Sequence, residues 1–291
     1  MSDGLVADTL ARHARGELSP GMALSRLLLA CRDLDRLRAD LEADGSAAAL
    51  DLLGTLEANR TGAGQALAIL AGAPDDPPPA TSLDEGLERC RRLFDGAVAV
   101  NAAASVALYS LGDERLLERA TDEVVGLAAR LGLLGSDRDL LDIGCGIGRF
   151  ERALAGRVAS ITGVDVSPAM IEAARTRCAG LPNVRLLETS GRNLADFRDG
   201  SFDLVLAVDS FPYLYQAGST AFAAAWVREI ARVLRPDSHA LLLNLSYRGE
   251  LEQDRADARR FADEAGLRMV RNGTADLRSW DGRTFLLRRA R

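Results

Sequence analysis

Leu140-Leu141-Asp142-Ile143-Gly144-Cys145-Gly146-Ile147-Gly148-Arg149-Phe150 reads as a short apolar strand running into a glycine-rich turn and then a helix. Closely spaced glycines at a strand end let a ligand approach bare backbone, where a side chain would clash. The helix start that follows offers unpaired N–H groups and a partial positive charge. A second short apolar run, Ile161-Thr162-Gly163-Val164-Asp165-Val166, places an acid 21 positions after Gly144. In nucleotide-binding α/β folds an acid about 20 residues on meets a ribose hydroxyl pair. The two runs together point to an adenosine-containing cofactor.

Outward from this stretch, the chain alternates. Strand-like runs fall at 139–143, 158–164, 183–187, 203–208 and 240–246, with helical stretches at 148–155, 168–178, 219–234 and 252–265. Such alternation implies a parallel sheet covered on both faces. Leu267 to Asn272 and Arg283 to Arg289 read as two further strands. Residues 1–72 have a different pattern, helical without strand-like runs. Apolar residues recur at three- and four-residue steps from Leu24 through Leu34, Leu37 and Leu41, with Ser19-Pro20 as a helix start. Further helices are expected over Ala47 to Asn59 and Gly64 to Leu70. The leucine stripe suits packing between helices, or a homodimer face. Four of the nine prolines fall between Gly72 and Ala80, marking a linker over 73–81. Beyond it, Leu83 to Phe94 and Asp113 to Leu131 read as helices. The expected order is therefore a helical domain at 1–72, the linker, a helical cap at 82–135 and an α/β domain at 136–291.

Composition narrows the function. A formal net charge of -6 argues against bulk nucleic acid as partner. No lysine occurs in the chain, which excludes a lysine Schiff base and a P-loop lysine. Cys31, Cys90, Cys145 and Cys178 are scattered without a C-x-x-C pair, and His13 and His239 are the only histidines. That pattern reads as reduced thiols in a cytoplasmic protein, with no metal site. The longest mostly apolar run, Ala97 to Tyr109, falls short of the roughly 20 residues of a membrane span.

A glycine-rich turn alone also fits NAD- and FAD-binding folds. Here it is followed in order by Gly163-Val164-Asp165-Val166-Ser167-Pro168-Ala169-Met170, Gly200-Ser201-Phe202-Asp203-Leu204-Val205 and Ala231-Arg232-Val233-Leu234-Arg235-Pro236. In that order and spacing the chain, from about 113 to 290, closely resembles the seven-stranded, Rossmann-like class I S-adenosylmethionine-dependent methyltransferases. The resemblance implies a mostly parallel seven-stranded sheet with helices on both faces, and S-adenosyl-L-methionine as cofactor. It also implies that Asp142, Gly144, Cys145, Gly146 and Gly148 line the amino-acid end of the cofactor. Asp165 would hold the ribose hydroxyls, with Val166 and Met170 beside the adenine. Family members often carry an acid after the third strand; here Ser190 stands at that place. Ser190, Gly191, Arg192 and Asn193 are then the candidates for the adenine edge.

Asp209-Ser210-Phe211-Pro212-Tyr213-Leu214-Tyr215 follows the fourth strand, where ligands of open α/β sheets sit. Asp209 is the candidate for orienting or deprotonating the acceptor, and also touches the cofactor region; Tyr213 is the second catalytic candidate. Tyr215, Asn244, Ser246, Tyr247, Arg248, Asn101 and Tyr109 are weaker pocket candidates, while Trp280 and His239 read as structural. The expected reaction is methyl transfer to an oxygen or nitrogen of a small molecule, without membrane involvement. Two alternatives stand beside it. One is a non-catalytic cofactor-binding or scaffolding protein acting through the N-terminal helices. The other, motivated by Ser210 to Tyr213, is a methyltransferase acting on a nucleic-acid base or on protein.

Overall fold

The computed structural model of the chain describes residues 3–72 and 80–291, so most of the expected linker, residues 73–79, lies outside the described residues. The chain divides into two compact units. One comprises Met1–Pro77, Leu93–Glu123 and Leu277–Asp281; the other comprises Pro78–Arg92, Val124–Asp276 and Gly282–Arg291. The cap expected at 82–135 is thus shared between the units. Its two long helices, Leu83–Val100 and Glu114–Arg130, run unbroken through the positions where the division falls. Chain continuity therefore hides that boundary from the sequence.

The α/β unit holds seven strands: β1 Gly135–Ile143, β2 Val158–Asp165, β3 Val184–Glu188, β4 Phe202–Val208, β5 Leu234–Leu243, β6 Leu267–Ala275 and β7 Arg283–Arg289. They form one sheet in the order β3-β2-β1-β4-β5-β7-β6. β1 pairs in parallel with β2 and β4, and only β7 runs against its neighbours β5 and β6. The expected mostly parallel, seven-stranded Rossmann-like sheet is the observed one. β5 begins earlier than expected, at Leu234, and ends at Leu243, which leaves Asn244 to Ser246 as loop rather than strand. The order reverses between β1 and β4, so their carboxyl ends open onto a crevice.

Side chains alternate across the sheet. Leu141 and Ile143 of β1 join Val164, Val205, Ala207, Leu242 and Phe285 in the main apolar cluster, beneath Trp226, Ile230 and Phe261. Asp142 therefore faces the opposite side, where helix Arg149–Leu154 packs on β2. The signature residues Asp203 and Arg235 lie at strand beginnings. The Asp203 carboxylate accepts from the Asp139 N–H at 2.9 Å, and Arg235 pairs with Asp203 and with Asp139. They tie β1, β4 and β5 together, far along the strands from the glycine turn.

The helical unit contains Asp3–Ala14, Pro20–Cys31, Leu34–Asp44, Ala47–Ala58 and Arg60–Gly72. The continuous helix expected through Leu41 breaks in two. Arg32 takes a left-handed conformation (φ 53°), and Asp33 caps the next helix by accepting from the Arg36 N–H. An acid at an N-cap outcompetes the uninterrupted apolar spacing. Leu24, Leu27, Leu28, Leu37 and Leu41 are fully buried within the chain, so the stripe that also suited a dimer face is used in packing the unit itself. Trp280 is buried as expected and stacks on Tyr109 at 5.9 Å.

Candidate active site

The glycine turn is shaped as its sequence requires. Gly144, Gly146 and Gly148 have φ of 73°, 54° and 75°, a region that L-residues with side chains enter at a cost. At Gly144 a Cβ would also stand 2.6 Å from Cβ of Ser210, so the turn and the loop after β4 are in close approach. Gly144 and Cys145 both donate backbone N–H to Val164 O, which holds the turn against β2. Cys145 is buried, and burial pushes its thiol well above the ordinary range, so it contributes shape rather than reactivity.

Asp165 ends β2 beside the turn. Its carboxylate accepts from the Gly146 N–H and from the Ser167 N–H, both at 2.9 Å. The acid expected at the ribose thus braces the glycine turn. Val166 is half-buried and packs at Gly191, where a Cβ would meet its side chain and Leu87. Met170 retains only 1% of its surface, within the packing of helix Pro168–Arg177. In the loop after β3, Ser190 and Asn193 are exposed and close local turns, with Ser190 Oγ accepting from the Arg192 N–H and Asn193 Oδ1 from the Ala195 N–H.

The beginning of helix Leu83–Val100 adjoins these groups. Asp84 pairs with Arg192, Leu87 lies at Gly191, and Gly86 is needed because a Cβ would strike the Ala217 backbone. Half-buried Cys90 stands in the field of Asp165, and burial together with that charge pushes its thiol up to about 12. This part of the expected cap is therefore placed beside the candidate cofactor loops.

Asp209 closes β4 in a left-handed conformation (φ 59°), and Asn244 closes β5 likewise (φ 63°). The Asn244 amide donates to Asp209 Oδ1 at 3.0 Å, while its own Oδ1 accepts from the Arg283 N–H at 2.9 Å. Two strained residues at adjacent strand ends thus fix one carboxylate. Tyr213 and Tyr247 meet edge to face, with ring centroids 5.8 Å apart. Tyr247 is 49% exposed as a residue, but its hydroxyl end sits by Asp209 and Tyr213. Burial, then the Asp209 charge, raises both phenols above their ordinary range, so they are neutral donors. Ser210 Oγ is buried without a hydrogen-bond partner among the described residues.

Other candidates are committed elsewhere. Asn101 caps helix Ala102–Val106 and donates to Gln65, and Tyr109 belongs to the helical unit. That unit has its own cavity of about 530 Å³, lined by residues including Asn59, Tyr109 and Arg119. Tyr215 and Arg248 stack, and Arg248 binds Asp254 and Asp257 on helix Leu251–Glu264; Ser246 donates to Asp254 at 2.6 Å. These contacts anchor the loop that carries Tyr247.

One buried group escaped the sequence reading. Glu151, on helix Arg149–Leu154, is fully buried at 0% and reaches into the space left by Gly163, where a Cβ would collide with its Oε1. Gly163 pairs with Asp142 across β1 and β2, and Asp142 is 1% exposed. The missing side chain at Gly163 was the available signal.

Residues 141–242 match the family profile described as a methyltransferase domain. The sheet order and the glycine turn are those of a seven-stranded, Rossmann-like α/β domain, the fold that the resemblance to class I methyltransferases implies. It is similar to the demethylmenaquinone methyltransferase of Tropheryma whipplei (strain Twist), 27% identical over 157 residues, 54% of this chain and 59% of that protein. It is also similar to the ubiquinone biosynthesis O-methyltransferase of Alkalilimnicola ehrlichii, 28% identical over 110 residues, 38% of this chain and 42% of that one. The chain spans about half the length of these curated relatives. Magnesium protoporphyrin IX methyltransferase from Synechocystis PCC 6803, solved with bound SAM, shares the fold over 74% of this chain and 100% of that one, with 20% identity and a TM-score of 0.53. Among the described residues no helix is long and apolar enough to cross a membrane.

Proposed function

We propose that the chain binds S-adenosyl-L-methionine and transfers its methyl group to an oxygen or nitrogen of a small molecule. The observation that carries this reading is the fixed carboxylate of Asp209, held by Asn244 at the carboxyl ends of β4 and β5, next to the glycine turn. The residues present fit the cofactor. Three left-handed glycines leave a backbone cradle, and the buried oxygens of Asp142 and the buried Ser210 hydroxyl lack partners among the described residues. Asp142 would take the ammonium, Asp165 the ribose hydroxyls, and Val166, Gly191 and Arg192 the adenine side.

When bound, the cofactor supplies an electrophilic methyl group on a sulfonium. Asp209 accepts a hydrogen bond from the acceptor's O–H or N–H, aims its lone pair along the line of displacement, and takes the proton as the nucleophile attacks. Asn244 keeps that carboxylate from rotating away. Tyr213 and Tyr247, uncharged, offer ring edges and O–H donors to a planar acceptor. The relative named as an O-methyltransferase of ubiquinone biosynthesis supports an oxygen acceptor on a quinone-like small molecule. Incubating the protein with methyl-labelled cofactor and fractionated small-molecule extracts should place the label on one O- or N-methylated product. Labelling of RNA, DNA or protein alone would overturn the small-molecule reading.

A further inference from the structure

Asp142 and Glu151 are the most deeply buried acids of the α/β unit that make no ion pair among the described residues, and outside the pair no other side chain donates a hydrogen bond to their oxygens among those residues. Both lie on the face of the sheet away from the main cluster. Asp142 extends from β1, Glu151 from the first turn after the glycines, and the two carboxyls meet over Gly163. As two carboxylates they would present four acceptors to one another in a buried site, where an uncompensated charge is strongly disfavoured. A proton between them removes the conflict and provides the missing donor.

We propose that Glu151 is a positioning residue that remains protonated beneath the glycine turn and donates its O–H to Asp142, so that the pair offers a single, oriented negative charge to the cofactor's ammonium. This rests on the cofactor reading above and assigns Glu151 a role in it. The charged and titratable groups around the pair support the same placement of the proton. Arg149, on the same short helix, favours the charged form of Asp142, and Asp165 at the end of β2 disfavours charge on both acids. Cys145 in the turn and Cys178 after helix Pro168–Arg177 are thiols held neutral, so neither supplies a counter-charge. Burial pushes Asp142 up to about 7, while the hydrogen bond from Glu151 acts in the opposite direction; burial and the Asp142 charge push Glu151 well above its ordinary range.

Two measurements test the assignment. In the unliganded protein at pH 7, infrared difference spectra between wild type and Glu151→Gln should contain a protonated-carboxyl C=O band that belongs to wild type. Its absence would mean Glu151 is ionised and would overturn the proposal. In calorimetry with S-adenosylhomocysteine, affinity should rise about tenfold from pH 6 to pH 8 as Asp142 becomes charged through about 7. Binding at pH 6 in buffers of different ionisation enthalpy should release close to one proton.

Glu151→Leu, which removes the donor, should move the midpoint of that pH curve upward and weaken binding at pH 7 by about tenfold. Glu151→Gln, which keeps an N–H donor without charge, should restore both. A downward movement in Glu151→Leu would show that a negative neighbour had been removed, and would overturn the proposal. The band present with no S-adenosylhomocysteine binding at any pH would leave the proton on Glu151 and instead refute the cofactor reading.

Discussion

In the proposed reaction Asp209 acts through restraint. A carboxylate at a flexible loop tip would sample many directions, whereas here its backbone is left-handed, its Oδ1 is held by Asn244, and Asn244 is held by the Arg283 N–H. Asp209→Asn should therefore lower turnover much more than S-adenosylhomocysteine affinity; the reverse pattern would make Asp209 a cofactor ligand. Asp165, proposed as the ribose contact, braces the glycine turn as it stands: its carboxylate accepts the Gly146 and Ser167 N–H groups. Asp165→Ala should weaken S-adenosylhomocysteine binding by about 1–3 kcal/mol, the scale of losing charge-assisted hydrogen bonds, and also lower the melting temperature. Unchanged affinity by calorimetry would remove the ribose assignment and leave only the brace. At this scale the sequence was informative about residue type and silent about partners. Asp165 and Asp209 were legible from their strand-end positions, but Asn244 as the clamp of Asp209 and Glu151 as the neighbour of Asp142 arise from strands and helices distant in the chain.

The elements depend on a few backbone positions that tolerate no side chain. Gly144 combines a φ of 73° with close approach to Ser210. Gly144→Ala should lower stability by at least about 1–2 kcal/mol from the backbone alone, and Ser210→Gly added to it should recover part of the loss. Chemical denaturation followed by circular dichroism measures both; full recovery would mean the backbone contribution is negligible. In the helical unit a Cβ at Gly62 would fall on the carbonyl oxygen of Leu111, so Gly62→Ala should destabilise that unit despite alanine's better helix propensity. A stabilised variant would show that this contact yields freely. Strand positions were legible because alternation of apolar runs is local. The break at Arg32 and Asp33 was not, since an amphipathic stripe continues across it and only the capping geometry reveals two helices.

Across the whole molecule, stability responds to pH through acids of opposite kinds. Asp139 and Glu229 are held below the ordinary carboxylate range, Asp139 mainly by Ser160 and Glu229 mainly by Arg232, and their contribution is lost as pH falls through those low values. Asp142 and Glu151 are raised by burial. Between the ordinary carboxyl range near about 4 and the raised value of about 7 at Asp142, the folded protein holds more protons than the unfolded chain, so these two acids lower stability as pH rises. Glu151→Gln should accordingly raise the melting temperature more at pH 8 than at pH 5; an equal shift at both would mean the pair carries no coupled proton. The sequence by itself determined the sheet, the glycine turn, the strand-end acids and the family resemblance, because each depends on short-range periodicity or on residues within one βαβ segment. Tertiary structure alone decided how the expected cap divides between two units, which tyrosines adjoin Asp209, and that two buried carboxyls meet over Gly163. Those are matters of which side chains converge after folding, and convergence across strands leaves no periodic trace along the chain.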